Sequence, residues 1–301
     1  MAELARPVIA AQGHPPEASI EQDVSIEQVE RRVQREVRLR RSRDRRLRIL
    51  APVLTTIGLL AGWEAAAGLF KIPLYLFPPP SAILMAFYQN GALLLRESAV
   101  TAAEILAGYL LSIVIGIPLA FGIFQWPVFA KSVYPLLVST QAMPKVAVAP
   151  LFVVWFGFGF LPKILIAFLI AFFPIVINSV VGLSAIEPEK IFLARSMGLS
   201  ALATFRLIRL PDALPAIFAG LKISITLAVV GAVVGEFVGG DSGLGYQLMI
   251  ANGNLNTPLL FAGVVALTIL GVILFSLVEF LERLAMPYRD RGSGATGMGT
   301  M

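Results

Sequence analysis

The sequence predicts an all-α membrane protein of six transmembrane helices with both termini in the cytoplasm, and three observations predict it. Of 301 residues, 57% are hydrophobic and 14% are charged, whereas a soluble domain carries about 25% charge; mean hydropathy is +0.81. Apolar stretches recur from Ile49 to Leu284 with short polar breaks between them. The basic residues gather on alternate connections, as the positive-inside rule requires of a multi-pass chain.

The N-terminal tail, 1–48, comes first. Net charge is +5, but the arginines concentrate at 31–48 (RRVQREVRLRRSRDRRLR), directly before the first apolar stretch, where they act as a cytoplasmic anchor. No aromatic residue interleaves them for base stacking, which argues against a nucleic-acid patch. No signal-peptide core occupies the first 30 residues, so the tail is expected to stay in the cytoplasm. Within it, Ser25-Ile-Glu-Gln28 matches a capping box, and Ile26, Val29, Val33 and Val37 recur at helical spacing, predicting a short amphipathic helix that lies on lipid or on a partner. The extremes, 1–18 and 290–301, are rich in small and polar residues and predict disorder.

Six stretches are apolar enough to cross a core of about 30 Å, which takes about 20 helical residues. They fall near 49–69, 99–124, 131–156, 162–183, 214–238 and 259–283. The predicted layout is thus a tail (1–48), a transmembrane domain (49–285) and a disordered C-terminal tail (286–301). Between the first two spans, Pro78-Pro-Pro80-Ser81 followed by AILMAFYQNGALLL predicts a helix start and an amphipathic helix along the outer surface. The third span is interrupted by Pro135, Pro144, Lys145 and Pro150. Proline removes an amide donor, and a membrane tolerates the freed carbonyls only where protein or water meets them, so a broken helix facing protein is expected.

Loop charge orients the bundle independently. The predicted cytoplasmic side holds the arginine-rich tail, Lys131, Lys190, Arg195, Arg206, Arg209, Arg283, Arg289 and Arg291; the outer side holds Lys71, Arg96 and Lys163, and 239–258 holds no basic residue.

The longest cytoplasmic connection, 184–215 (SAIEPEKIFLARSMGLSALATFRLIRLPDALP), is neither apolar enough to insert nor polar enough for a plain linker. Pro188 to Leu210 predicts two short helices joined at Gly198, where a residue without Cβ can take a left-handed turn or let another backbone come close. Pro211 and Pro215 suit the first turns of the next membrane helix. Ala194, Met197, Leu199 and Leu202 are placed to fill a groove on a partner protein, with Arg195, Arg206 and Arg209 facing its rim or lipid phosphates. A solvated loop would account for the arginines but not for the apolar positions beside them.

Gly198, followed after nine residues by Ile208-Arg209-Leu210-Pro211, resembles the EAA loop of permeases in ATP-binding-cassette importers. Ala194 falls at that motif's last alanine, while Phe192 stands where its leading glutamate belongs. The resemblance runs from Trp63-Glu64 to Glu282-Arg283, through Pro78-Pro-Pro-Ser81, Gln141-Ala-Met-Pro144-Lys145, Pro150 to Gly159, Phe172-Phe-Pro174 and Gly235-Glu236-Phe with Gly243-Leu-Gly245-Tyr246. Together these are similar to the nitrate, sulfonate and taurine branch; TQAMPKVAVAPL and WFGFG most resemble members assigned to thiamine-precursor pyrimidines or riboflavin. The resemblance implies the type I importer permease fold in a bacterial inner membrane, a homodimer or paired permease, two ATPase subunits carrying ATP and Mg, and an external solute-binding protein. It implies that the 184–215 loop carries ATPase closure to the helices, with Ala194, Arg195, Met197, Gly198, Leu199, Arg206, Ile208, Leu210 and Pro211 as coupling residues.

For the translocation path, polar groups within apolar helices are the candidates: Ser139, Thr140, Gln141 and Met143 at the broken span, with Asn178, Ser224 and Thr226. Ser, Thr and Asn also hydrogen-bond between helices, which is the alternative for each. Among ionisable groups, Glu236 is either part of an outer gate or a carboxylate snorkelling to water. Glu64 and Glu279 lie near helix ends, and Glu104 is expected to pair with Arg96 or a hydroxyl. Trp155, Phe156 and Phe158 suit a gate or an interfacial belt.

Several classes are excluded or disfavoured. The chain has no cysteine and one histidine, His14 in the tail, which excludes a disulfide framework, thiolate chemistry, a Cys-ligated metal and a catalytic or metal-binding histidine cluster in the membrane. No G-x-x-x-x-G-K-[ST] signature occurs, so ATP and other cofactors are not expected on this chain. An intramembrane enzyme lacks its nucleophile and a channel lacks a filter; an ion-coupled secondary transporter is the remaining rival to the importer.

Overall fold

The computed structural model describes residues Leu50–Met286; the predicted tail helix and disordered ends lie outside them. The chain divides into two compact units, residues 1–66 and 67–301. The division falls inside the first helix, α1 (Leu50–Leu69). In the first unit, Leu54, Ile57 and Leu59 are 64%, 56% and 71% exposed. An apolar helix that buries so little of itself is suited to lipid.

The second unit holds α2 (Pro80–Gln89), α3 (Gly91–Gln125), α4 (Pro127–Gln141), a 3₁₀ turn (Lys145–Val148), α5 (Ala149–Phe156), α6 (Phe160–Ser184), α7 (Pro188–Ser196), α8 (Ala201–Thr204), a π-turn (Phe205–Arg209), α9 (Leu210–Gly239), α10 (Leu244–Gly253) and α11 (Thr257–Ala285). Among the described residues, five helices are long and apolar enough to span a membrane, and a sixth span results if α4 and the Lys145–Phe156 segment are one crossing. No strand occurs among the described residues.

The expected spans are present with shifted ends. Helix α3 begins at Gly91, so only the first part of the predicted surface helix is separate, as α2. Asn90 breaks the two apart, its side chain turned back to the Ala86 carbonyl at 2.9 Å. The fifth span is longer than expected, because Ala201 to Gly239 runs as one helix of 39 residues. The π-turn at Phe205–Arg209 ends two positions before Pro211; an inserted residue relieves the ladder where proline offers no amide.

Helix α6 is the centre of the unit, packed between α3 and α9. At Ala167 both neighbours present glycine: a Cβ on Gly108 would lie 2.7 Å from Ala167 Cβ, and one on Gly231 would lie 2.6 Å from Ala167 Cα. Lipid supplies no hydrophobic drive between helices, so close backbone approach through small residues does the work. Around this point Ile105, Tyr109, Ala171, Ile175, Ile225 and Ala228 form the main core. Ser112 Oγ donates to the Phe168 carbonyl at 3.1 Å and Tyr109 Oη to that of Leu221 at 3.2 Å.

Candidate functional site

Two regions at opposite ends of the bundle concentrate polar chemistry, with the broken span as a third feature. The first is the predicted coupling loop. Pro188 starts α7, and the helix ends in a Schellman turn: Gly198 N–H donates to the Arg195 carbonyl at 3.0 Å and Leu199 N–H to that of Ala194 at 3.1 Å. Gly198 has φ +76°, the left-handed conformation the motif demands. Ser200 then caps α8, accepting from Ala203 N–H at 3.2 Å. Two short helices joined at Gly198 are therefore present.

The apolar side chains of this loop are unequally placed. Phe192, Leu193, Met197 and Leu202 are between 59% and 72% exposed, whereas Ala194 is 1% exposed. Ala194 accordingly packs inward within this chain, whereas Phe192 and Leu193 are the apolar side chains that α7 leaves exposed. Leu199 and Ile208 are half-buried, Arg195, Arg206 and Pro211 are exposed, and Leu210 is 36% exposed. Arg209 does not face outward freely, because its guanidinium lies 5.0 Å from the Phe124 ring centroid. Lys190 reaches Asp212 at 2.9 Å, tying α7 to the start of α9, and this contact raises the Lys190 pKa.

The second region was largely missed in the sequence. At the other end of α9, Glu236 is 1% exposed. Its carboxylate accepts from Thr101 Oγ at 2.6 Å and from Gly245 N–H. Glu97 accepts from Gly243 N–H at 2.7 Å, and Thr101 Oγ accepts from Leu244 N–H at 2.8 Å. Three successive amides at the start of α10 are thus met by side chains of α3 and α9, where the helix dipole favours negative charge. Gly243 has φ +104°, and a Cβ there would collide with the Glu236 carboxylate.

Lys163, the first basic residue of α6, closes the network. Its ammonium donates to Glu104 at 2.9 Å, Asp241 at 3.3 Å and the Ser242 carbonyl at 3.1 Å. Glu104 therefore pairs with Lys163 and not with Arg96, which sits 3.9 Å from Glu97 instead. Glu236 neither snorkels nor joins the other path candidates; it fastens α10. Asp241, in the exposed connection between α9 and α10, is held below its ordinary pKa by the Ser242 hydroxyl and then by Lys163. The signal for this network lay in opposite charges, Glu104 and Lys163, at the same predicted end of the second and fourth spans.

The third feature is the broken span. Helix α4 and the Lys145–Phe156 segment meet at 89°. The helix is broken as expected, but the break does not face the interior of this chain: α4 buries no residue, and Ser139, Thr140, Gln141 and Met143 are all exposed. Ser139 and Thr140 satisfy their hydroxyls on the Pro135 and Leu136 carbonyls, at 2.9 and 3.0 Å. The remaining path candidates are elsewhere. Asn178 turns back to the Pro174 carbonyl at 2.8 Å, half-buried against α9. Ser224 is fully buried in the core, its hydroxyl unpartnered among the described residues. Thr226 faces a groove between α9 and α11 with Val229, Val264 and Thr268. These seven residues form no single lining. Trp155 and Phe158 are 64% and 79% exposed, as either a belt or a gate allows.

Comparison with known proteins completes the description. Residues 108–286 match the family described as binding-protein-dependent transport system inner membrane component. The chain is 35% identical to the formylaminopyrimidine transport permease protein ThiX of Halalkalibacterium halodurans, covering 80% of this chain and 97% of that protein. It is 37% identical to the riboflavin transport system permease protein RibX of Chloroflexus aurantiacus, covering 77% and 87%. Among solved structures it resembles the inward-facing MetNI methionine ABC transporter, with TM-score 0.55 at 21% identity over 64% of this chain and 95% of that one.

Proposed function

The chain belongs to the family of binding-protein-dependent transport system inner membrane components, and from that premise we propose that its α7–α8 loop docks on an ATP-hydrolysing partner and drives a path along the α4–α5 face. The protein is the membrane permease of an ATP-binding-cassette importer, a multi-pass component of the bacterial inner membrane and not itself an enzyme.

The observation that carries the docking assignment is the exposed cluster of Phe192, Leu193, Met197 and Leu202 around a rigid Schellman turn. Large apolar side chains beside arginines, at a membrane boundary, are a partner surface in waiting. Two ATPase subunits, carrying ATP and Mg, would cover the loops of two permeases, with the loop side and both termini in the cytoplasm.

The exposed break supports pairing with a second permease, identical or related. Carbonyls freed by proline in a membrane must be met by protein or by a water-filled cavity, and α4 fully buries none of its residues within this chain. A second copy facing it would enclose Ser139, Thr140, Gln141 and Met143 between the two chains, which makes that shared cavity the path. Solute would arrive from an external binding protein; the named relatives favour a pyrimidine- or riboflavin-type solute, with sulfonate, taurine and nitrate as the wider branch's choices.

The test is uptake by proteoliposomes holding the purified permease with and without its ATPase. Transport that requires the ATPase and ATP is expected; uptake by this chain alone, without ATP, overturns the assignment. Thermal-shift screening of the binding protein with pyrimidines, flavins and sulfonates identifies the solute.

A further inference from the structure

The lysines within the spans differ in how their charge is met. Lys163 has Glu104 and Asp241, and Lys222 has Glu282 at 2.6 Å. Lys131 stands in the second turn of α4, beside the turn from α3. Lys145 lies at the 89° break itself and has no carboxylate partner among the described residues. Its ammonium sits 4.7 Å from the centroid of the Phe173 ring, and the residue is half-exposed.

An aromatic face attracts an ammonium but leaves its charge un-neutralised. A membrane protein keeps such a charge at membrane depth at a cost, and rarely without a use. Here the charge stands at the end of the exposed run Ser139 to Met143, whose hydroxyls are already taken up by their own backbone carbonyls. The dominant field offered to anything moving past the break is therefore positive.

Resting on the assignment of the α4–α5 face as the path, we propose that Lys145 is its electrostatic filter: it bars cations from the path and restricts the solute to neutral or anionic molecules with oxygen acceptors. A conduit that opens alternately to two compartments must not conduct protons or alkali cations, and a fixed positive charge beside the path provides that barrier. Phe173, on α6, holds the ammonium at the break without cancelling its field.

The absence of cysteine from the chain permits a test that needs no knowledge of the solute. In the assembled importer, Met143→Cys is reacted with an anionic sulfonatoethyl and a cationic trimethylammonioethyl methanethiosulfonate, and the ratio of rates is measured with Lys145 intact and with Lys145→Met or Lys145→Arg. The anion-to-cation ratio should fall roughly tenfold in Lys145→Met, as Coulomb's law gives at partly screened separations, and return in Lys145→Arg. Ser139→Cys serves as a second reporter should Met143→Cys fail to assemble. A ratio that changes by less than about twofold on loss of Lys145, or cysteines at both positions that react with neither reagent in any nucleotide state, overturns the proposal. The rates are read without ATP-driven uptake, so failure of the coupling assignment registers separately.

Discussion

Lys163 on α6 and Glu104 on α3 form an ion pair of 2.9 Å whose side chains are 1% and 0% exposed. Removal of one partner of such a pair leaves an uncompensated buried charge. Lys163→Met should therefore destabilise the protein by about 3–5 kcal/mol, while Lys163→Met combined with Glu104→Leu should recover much of that loss. Thermal unfolding in detergent measures both; equal melting of single and double variants contradicts the pairing.

Gly243→Ala should detach the start of α10. The residue needs φ +104°, and the new methyl meets the Glu236 carboxylate; a strained backbone position costs about 1–3 kcal/mol. Faster amide exchange at Leu244 and Gly245, with exchange in α6 unchanged, is the expected signature. Unchanged exchange at both would show that the Glu236 contacts do not hold this turn.

At the opposite end, Met197→Glu and Leu202→Glu replace exposed apolar side chains, so stability should change by no more than about 0.5 kcal/mol. Co-purification with the ATPase should nevertheless be lost. Gly198→Val, which forces a β-branched residue into a φ of +76°, should abolish solute-stimulated ATPase activity while membrane insertion persists. Normal stimulated activity in all three variants would remove the loop from coupling. Ala194→Glu, by contrast, should disrupt the loop itself, because Ala194 is buried within this chain.

Asp241 gives a pH dependence with a defined sign. Its pKa in the folded protein is below the ordinary 3.8, so its contribution is full above that value and is lost as pH falls through the lower folded value. Melting temperature measured from pH 6 down to pH 2 should show an acid limb that Asp241→Asn flattens. Identical limbs in the two proteins would assign the acid sensitivity to other carboxylates.

Much of this architecture was legible in the sequence because lipid imposes length and composition on each span. The break at Pro144 and the turn at Gly198 were legible for the same kind of reason: proline and glycine act through their own backbone. The Lys163 network was not, since it joins residues 59 and 78 positions apart, and only packing decides which carboxylate an ammonium meets. The burial of Ala194 beside exposed Leu193 and Met197 was not legible either, because apolar spacing in so short a helix does not say which face turns inward. The path candidates scattered for a related cause: Ser224 and Thr226 are two positions apart on one helix and so point to different surroundings.

The unbroken course of the helix from Ala201 to Gly239 has a mechanical result. At 1.5 Å per residue its 39 residues extend about 58 Å, roughly twice the hydrocarbon thickness of a bilayer. Its irregularities, the π-turn at Phe205–Arg209 and the prolines at 211 and 215, all lie near the loop end, which leaves the rest suited to act as a strut. A tilt of about 5° imposed beside Ser200 swings the far tip by about 5 Å over that moment arm, enough to shift Glu236, and with it everything moored to that carboxylate, by the width of a small solute.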